Sequence, residues 1–198
     1  MQRLKLLFPL IIFMVVALFF FIMISRIDSG EYNPQALPSA LVNKPFPSFN
    51  LSHLEQPSKL LDAADLLGEI ALVNVWATWC PSCHAEHGFL NTLATEQQVV
   101  IYGVNYKDEA DAARQWLQVK GNPYRFNIFD PQGHLGLNMG VTGAPETYVI
   151  DHRGFVRLRF QGPLNAAVWE SKFQPLLERL KREQHKEARR TQDKGAAG

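Results

Sequence analysis

The sequence predicts an α/β domain with a mixed central sheet flanked by helices, preceded by one N-terminal transmembrane helix. Three observations lead there. Ile70–Thr78 (IALVNVWAT) and Val99–Tyr106 (VVIYGVNY) are apolar, β-branched runs, as strands buried on both faces are. Between them Cys83, His87, Leu90, Leu93 and Ala94 recur at three-to-four spacing, which predicts a helix to about Gln97. Further on, Thr147–Asp151 and Phe155–Phe160 flank His152-Arg153-Gly154 as the strands of a hairpin flank a turn. Strand–helix–strand–helix, then a hairpin, then a last helix is the order of a mixed sheet covered by helices.

The elements follow in chain order. Leu6–Ile24 carries no charge and is close to the ~20 residues that cross a bilayer. It exceeds the ~7–15 residues of a signal-peptide core, and Ser25–Gly30 offers no small-residue cleavage site. Residues 6–25 are therefore expected to be a retained anchor, with residues 1–5 its cytoplasmic end. Arg3 and Lys5 hold that end inside, so the rest of the chain is expected to face outward. Residues 26–40 read as a linker, rich in proline and small residues from Asn33 onward.

The domain is expected over 41–182. Phe46–Leu51 reads as an edge strand, and Leu60–Leu67 as either a short helix or a strand with a turn. Asp108 is expected to open a helix that ends at Gly121-Asn122-Pro123. Arg125–Phe129 fits a short strand, and His134–Met139 a brief helix closed by Gly140. Thr142-Gly143-Ala144-Pro145 fits a turn. Asn165 is placed to cap a final helix with Val168, Trp169, Phe173, Leu176, Leu177 and Leu180 on one face. Residues 183–198 read as a polar, disordered tail.

Composition removes several function classes. The 198 residues are 46% hydrophobic and 20% charged, which are globular values, with a formal net charge of +1. Nucleic acid is not an expected partner, because counterion release needs a concentrated basic surface. The basic residues near the C-terminus alternate with Glu183 and Glu187. Only 2 cysteines occur, both in one tetrapeptide, so neither a disulfide framework nor a four-thiolate zinc site is available. No cofactor or metal is expected.

That tetrapeptide carries the chemistry. Cys80 falls where a buried strand ends and a helix begins, so unpaired helix N–H groups and the positive end of the dipole face its sulfur. A thiol attacks only as thiolate, and this position favours the anion. Pro81 suits the first helical turn. Two intervening residues place Cys83 one turn on, so Cys80 reads as an exposed nucleophile and Cys83 as a more buried resolving thiol. A rival exists in Cys80-Pro81-Ser82-Cys83-His84, which is also the attachment pattern of a c-type haem, with Met139 as a second ligand. The proline and the flanking sheet strands speak against it. An inert cysteine pair in a tethered binding module is a third reading, and fast alkylation of Cys80 separates it from the first.

Val73–Cys83 (VNVWATWCPSC) resembles the thioredoxin superfamily signature, and Ala144-Pro145 resembles that superfamily's cis-proline loop, which faces the cysteines and pairs with an extended substrate. From about Leu41 to Leu177 the chain resembles the periplasmic thiol:disulfide interchange proteins of cytochrome c biogenesis (the CcmG/DsbE family). Leu72–Cys83, Ala85-Glu86-His87, Gly103–Asp108 (GVNYKD), Gly121–Tyr124 (GNPY) and Gly143–Thr147 (GAPET) carry the likeness. The resemblance implies a thioredoxin fold and a redox disulfide Cys80–Cys83. It implies as substrate the disulfide of an apocytochrome c haem-binding site or of an assembly partner, with electrons from a membrane thiol reductant. It places the chain as a single-pass protein of a bacterial inner membrane, its catalytic domain in the periplasm. A general thiol–disulfide exchanger without a cytochrome role is the alternative.

Thioredoxins carry a buried aspartate where this chain has Asn74, which cannot titrate. Glu86, one turn past Cys83, is a candidate replacement, and Glu146 beside Pro145 adds a second carboxylate; either anion near a thiol raises its pKa. Both also fit ordinary surface carboxylates. Trp79 is expected on the surface of the substrate groove and Trp76 in the packing. Of His84 and His87, one is expected in solvent and the other against the core.

Overall fold

The computed structural model describes residues 2–28 and 41–196, with side chains over 9–23, over 41–190 and at 192. The chain separates into two compact units, Met1–Gln35 and Ala36–Gly198. The first contains one helix, α1 (Gln2–Asp28). Among the described residues no helix is long and apolar enough to cross a membrane. This corrects the expected inner-membrane single-pass anchor over residues 6–25. The expected linker, 26–40, lies for its larger part outside the described residues.

The second unit has the thioredoxin-like arrangement. A small hairpin of β1 (Asn50–Ser52) and β2 (Leu60–Asp62) leads through a 3-10 turn, Ala63–Leu66, to the central strand β3 (Ala71–Trp76). There follow α2 (Pro81–Thr95), β4 (Ile101–Tyr106), α3 (Ala110–Lys120), β5 (Asn127–Asp130), α4 (His134–Met139), β6 (Glu146–Ile150) and β7 (Val156–Gln161). The chain closes with α5 (Ala166–Val168), a π turn over Trp169–Phe173, and α6 (Gln174–Ala196). The sheet order is β5-β4-β3-β6-β7; β3, β4 and β5 run parallel, and β6 and β7 antiparallel.

Every residue of β3 is buried, so the strand has no polar face to reveal a period of two. Its side chains still alternate between the faces. Leu72 and Trp76 enter a core cluster with Leu90, Leu93, Phe173 and Leu177, and both cysteines belong to that cluster. Ala71, Val73 and Val75 enter a second cluster with Tyr102, Leu135, Met139 and Tyr148. The site sits at the carboxyl end of β3, over the first cluster.

Several boundaries differ from the sequence reading, and the edge strand expected over Phe46–Leu51 begins only at Asn50. Leu60–Leu67 is both a strand and a helical turn, because Asp62 ends β2 and caps the 3-10 turn by accepting from Ala64 N. Asp108 does not open α3. Glu109 stands at that N-cap, and the Asp108 carboxylate is engaged by the active loop instead. The C-terminal segment past 182 continues as helix to Ala196, where Glu187 meets His152 Nε2 at 3.2 Å.

Gly103 lies in β4 opposite Asn74. A Cβ there would meet Asn127 Oδ1, and Trp76 Nε1 at 2.9 Å. Those two atoms hydrogen-bond to each other at 3.0 Å. Gly103→Ala should therefore break that bond and lower unfolding free energy by about 3 kcal/mol in urea titration. A loss under about 0.5 kcal/mol would contradict this packing.

Candidate active site

Cys80 is the N-cap residue of α2, with an extended backbone at φ −97°, and Pro81 begins the helix. Its Sγ accepts from Cys83 N at 3.1 Å, and its carbonyl accepts from Cys83 N at 3.1 Å and His84 N at 3.3 Å. The Cys83 amide, which as a first-turn N–H has no i−4 partner inside the helix, thus faces the sulfur of the first cysteine. Cys80 and Cys83 are joined as a disulfide with Cα atoms 5.3 Å apart. Both are only 2% exposed. The expectation of an exposed Cys80 is corrected for this oxidised form, because its sulfur turns inward to Cys83.

The loop before Cys80 is pinned from the segment that follows β4. Asp108 accepts from Thr78 N at 2.7 Å and Thr78 Oγ1 at 2.6 Å, and from Asn105 Nδ2 at 2.9 Å. The Trp79 indole donates to the Lys107 carbonyl at 2.9 Å, yet stays 54% exposed. The Ala144–Pro145 peptide is cis. Pro145 is buried, its carbonyl accepts from Gly162 N at 2.9 Å, and half-buried Ala144 packs against the cluster that holds the cysteines.

The two carboxylates part company. Glu86 is 1% exposed, so it is no surface residue. It accepts from Asn74 Nδ2 at 3.0 Å and from Leu164 N at 2.6 Å. Burial pushes its carboxyl up to about 7, against the pull of those two donors. Glu146 is on β6 with Tyr148, whose ring is in the second cluster, while Thr147 between them bonds Asn74. Glu146 therefore faces away from the cysteines, which corrects its expected place as a second carboxylate near the thiols. Arg159 Nε reaches it at 2.9 Å, and Thr142 and Tyr148 also donate to it. Burial alone would raise this carboxyl, but these bonds outweigh it and hold it below the usual range. Its role is to tie the cis-proline loop to β7.

Asn74 is fully buried and holds three bonds: Tyr124 donates to its Oδ1 at 2.9 Å, and its Nδ2 donates to Glu86 and to Thr147 Oγ1. The sequence reading quoted Tyr124 and Thr147 within GNPY and GAPET but gave neither a part in the site. They lie 50 and 73 residues from Asn74, and only the folded chain unites them.

His84 is exposed and donates from Nε2 to the Thr78 carbonyl at 2.8 Å; His87 is buried and donates to the Gly121 carbonyl at 2.9 Å. Burial holds the His87 imidazole below its usual value. With Gly88, Trp116 and Lys120 they line an open groove of about 230 Å³. Met139 belongs to the second core cluster and the cysteines to the first, so His84 and Met139 do not frame one haem site. Among the described residues no group of three or more His, Cys, Asp or Glu is placed to hold a metal.

Glu86 makes pH a test of the site. Folding raises its pKa from 4.5, so the stability it confers is complete below that value and is lost as pH rises through about 7. The loss is about 3 kcal/mol. Denaturant unfolding from pH 4.5 to pH 8 should show this fall in the native chain and not in Glu86→Gln. An equal fall in both would mean another group is responsible.

The Redoxin family matches residues 41–175. The chain is 50% identical over 181 residues to the thiol:disulfide interchange protein DsbE of Pseudomonas aeruginosa, covering 91% of this chain and 96% of that protein. It is 46% identical over 184 residues to the protein of the same name from Escherichia coli K12, covering 92% and 98%. Among solved structures, a putative DsbE from Chlorobium tepidum superposes with a TM-score of 0.59 at 24% identity, over 73% of this chain and 99% of that one. A secreted thiol-disulfide isomerase from Corynebacterium glutamicum gives 0.60 at 20% identity, over 74% and 96%.

Proposed function

The chain belongs to the Redoxin family and is a thiol:disulfide oxidoreductase, and from that premise we propose that it is the dithiol reductant of apocytochrome c haem-binding sites, or of a partner in their assembly. One observation carries the chemistry: the backbone N–H of Cys83 points at Cys80 Sγ from the first turn of α2. The same N–H stabilises the Cys80 thiolate once the disulfide is reduced. Cys80 attacks one sulfur of the substrate disulfide; that bond breaks, and the departing sulfur leaves as a thiolate that takes a proton. Cys83 then loses its proton and attacks Cys80, releasing the second substrate thiol. Two electrons pass to the substrate; of the two protons its sulfurs take, one comes from solvent, because Cys80 enters as thiolate, and one is the proton that Cys83 gives up, and Cys80–Cys83 is left oxidised. A membrane thiol reductant returns it to the dithiol.

The other site residues have assigned parts in this reading. Glu86 receives the proton that leaves Cys83, since it is buried one turn along the same helix and Asn74 cannot titrate. Trp79 and the Ala144–Pro145 loop form the rim on which an extended substrate segment lies, and Pro81 fixes the first turn. The segments GVNYKD and GAPET support the cytochrome role only through the resemblance they carry; in the fold they supply the Asp108 clamp and the cis-proline loop.

A Cys83→Ser chain tests this directly. Incubated with an oxidised peptide carrying C-x-x-C-H, it should accumulate a mixed disulfide through Cys80, while the native chain reduces that peptide at least tenfold faster than a generic protein disulfide. An empty trap would refute the mechanism, and equal rates would leave a general exchanger. A reduction potential near the ~−120 mV of strong oxidants would reverse the direction.

A further inference from the structure

Glu86 sits in the interior without a cation. Among the described residues no Lys, Arg or His pairs with it, and His87, next along α2, turns to the Gly121 carbonyl. The groups that bear on its charge are the Leu164 N–H, the Asn74 amide and, across that amide, the Tyr124 hydroxyl. Leu164 N–H is fixed by the backbone. An amide is not, since its two ends are nearly equal in shape and opposite in function.

Which end of Asn74 faces Glu86 is decided by its other partners. Tyr124 is buried, and burial, then the charge of Glu86, hold its hydroxyl protonated far past neutral pH. The hydroxyl therefore remains available to donate, and it donates to Asn74 Oδ1 at 2.9 Å. With Oδ1 so held, both amide hydrogens point the other way, one to Thr147 Oγ1 and one to Glu86 Oε1, each at 3.0 Å. A turned amide would set Oδ1 against Glu86. That contact is tolerable only when Glu86 carries a proton, and it would leave the buried hydroxyl hydrogen of Tyr124 without its acceptor.

We propose that Tyr124 is a positioning residue for proton transfer in this site: through Asn74 it keeps an N–H on Glu86, so that the carboxylate can form and receive the proton of Cys83. The proton-acceptor role of Glu86 rests on the mechanism proposed above. The hold of Tyr124 on Asn74 and Glu86 does not.

The test separates the two. In the oxidised full chain no thiol titrates, and the Glu86 carboxyl can be followed by carbon NMR against pH. Tyr124→Phe should move its midpoint up by about one pH unit. Asn74→Ala should move it at least as far, and Tyr124→Phe in the Asn74→Ala background should add nothing, because the hydroxyl acts only through the amide. An unchanged midpoint in Tyr124→Phe, or two additive shifts, overturns the proposal, and Asn74→Ala alone with an unchanged midpoint does so if the tyrosine variant fails to fold. The reduced chain gives the second readout. The pH profile of mixed-disulfide release should shift with the Glu86 midpoint in Tyr124→Phe. If the NMR shift appears but Glu86→Gln leaves that profile unaltered, positioning stands and the acceptor role of Glu86 falls.

Discussion

The structure depends on one junction, where the buried strand β3 stops and α2 begins with Cys80 as its cap. Two effects oppose each other there. Burial of a sulfur to 2% exposure disfavours a thiolate, while first-turn amides and the helix dipole favour it. Cysteines at helix N-termini reach pKa values of about 3.5–7.5 against an ordinary ~8.5, so the amides outweigh the desolvation in such settings. Much of the surrounding architecture keeps the junction in place. Asp108 and the Lys107 carbonyl hold Thr78 and Trp79 from the segment that follows β4, and the cis-proline loop is held by the Glu146–Arg159 pair.

The sheet assigns the two carboxylates opposite tasks. A period of two along the strands sends Asn74 and Thr147 toward the cysteines, and Glu146 away from them. Glu146 finds an arginine and becomes a structural anion. Glu86 finds only neutral donors, which do not offset its burial, and burial pushes its carboxyl up to about 7. A neutral amide in place of a second acid is what permits this: an aspartate at 74 would put two carboxylates in contact and couple their titrations.

The fold was largely legible because its signals are local. The two buried strands, the Cys80-Pro81 start of α2, the Gly140 closure of α4 and the Asn165 cap are each written within a few residues. Asp108 misled for a physical reason. An acidic residue before an amphipathic run is the usual helix opener, but here the Thr78 loop, 30 residues earlier, claims its oxygens. The burial of Cys80, the face of Glu146 and the part of Tyr124 depend on contacts between distant segments, and no spacing in the sequence displays them. The N-terminal helix shows the same limit differently: hydropathy suggested a membrane span, and among the described residues no helix is long and apolar enough to cross a membrane.

The alkylation rate of Cys80 against pH, in the reduced full chain with Cys83→Ser, asks whether this strand end makes an acidic sulfur. A midpoint at least one unit below ~8.5 is the result this account requires. A midpoint at or above that value would mean that desolvation outweighs the helix amides, and the junction could not drive exchange.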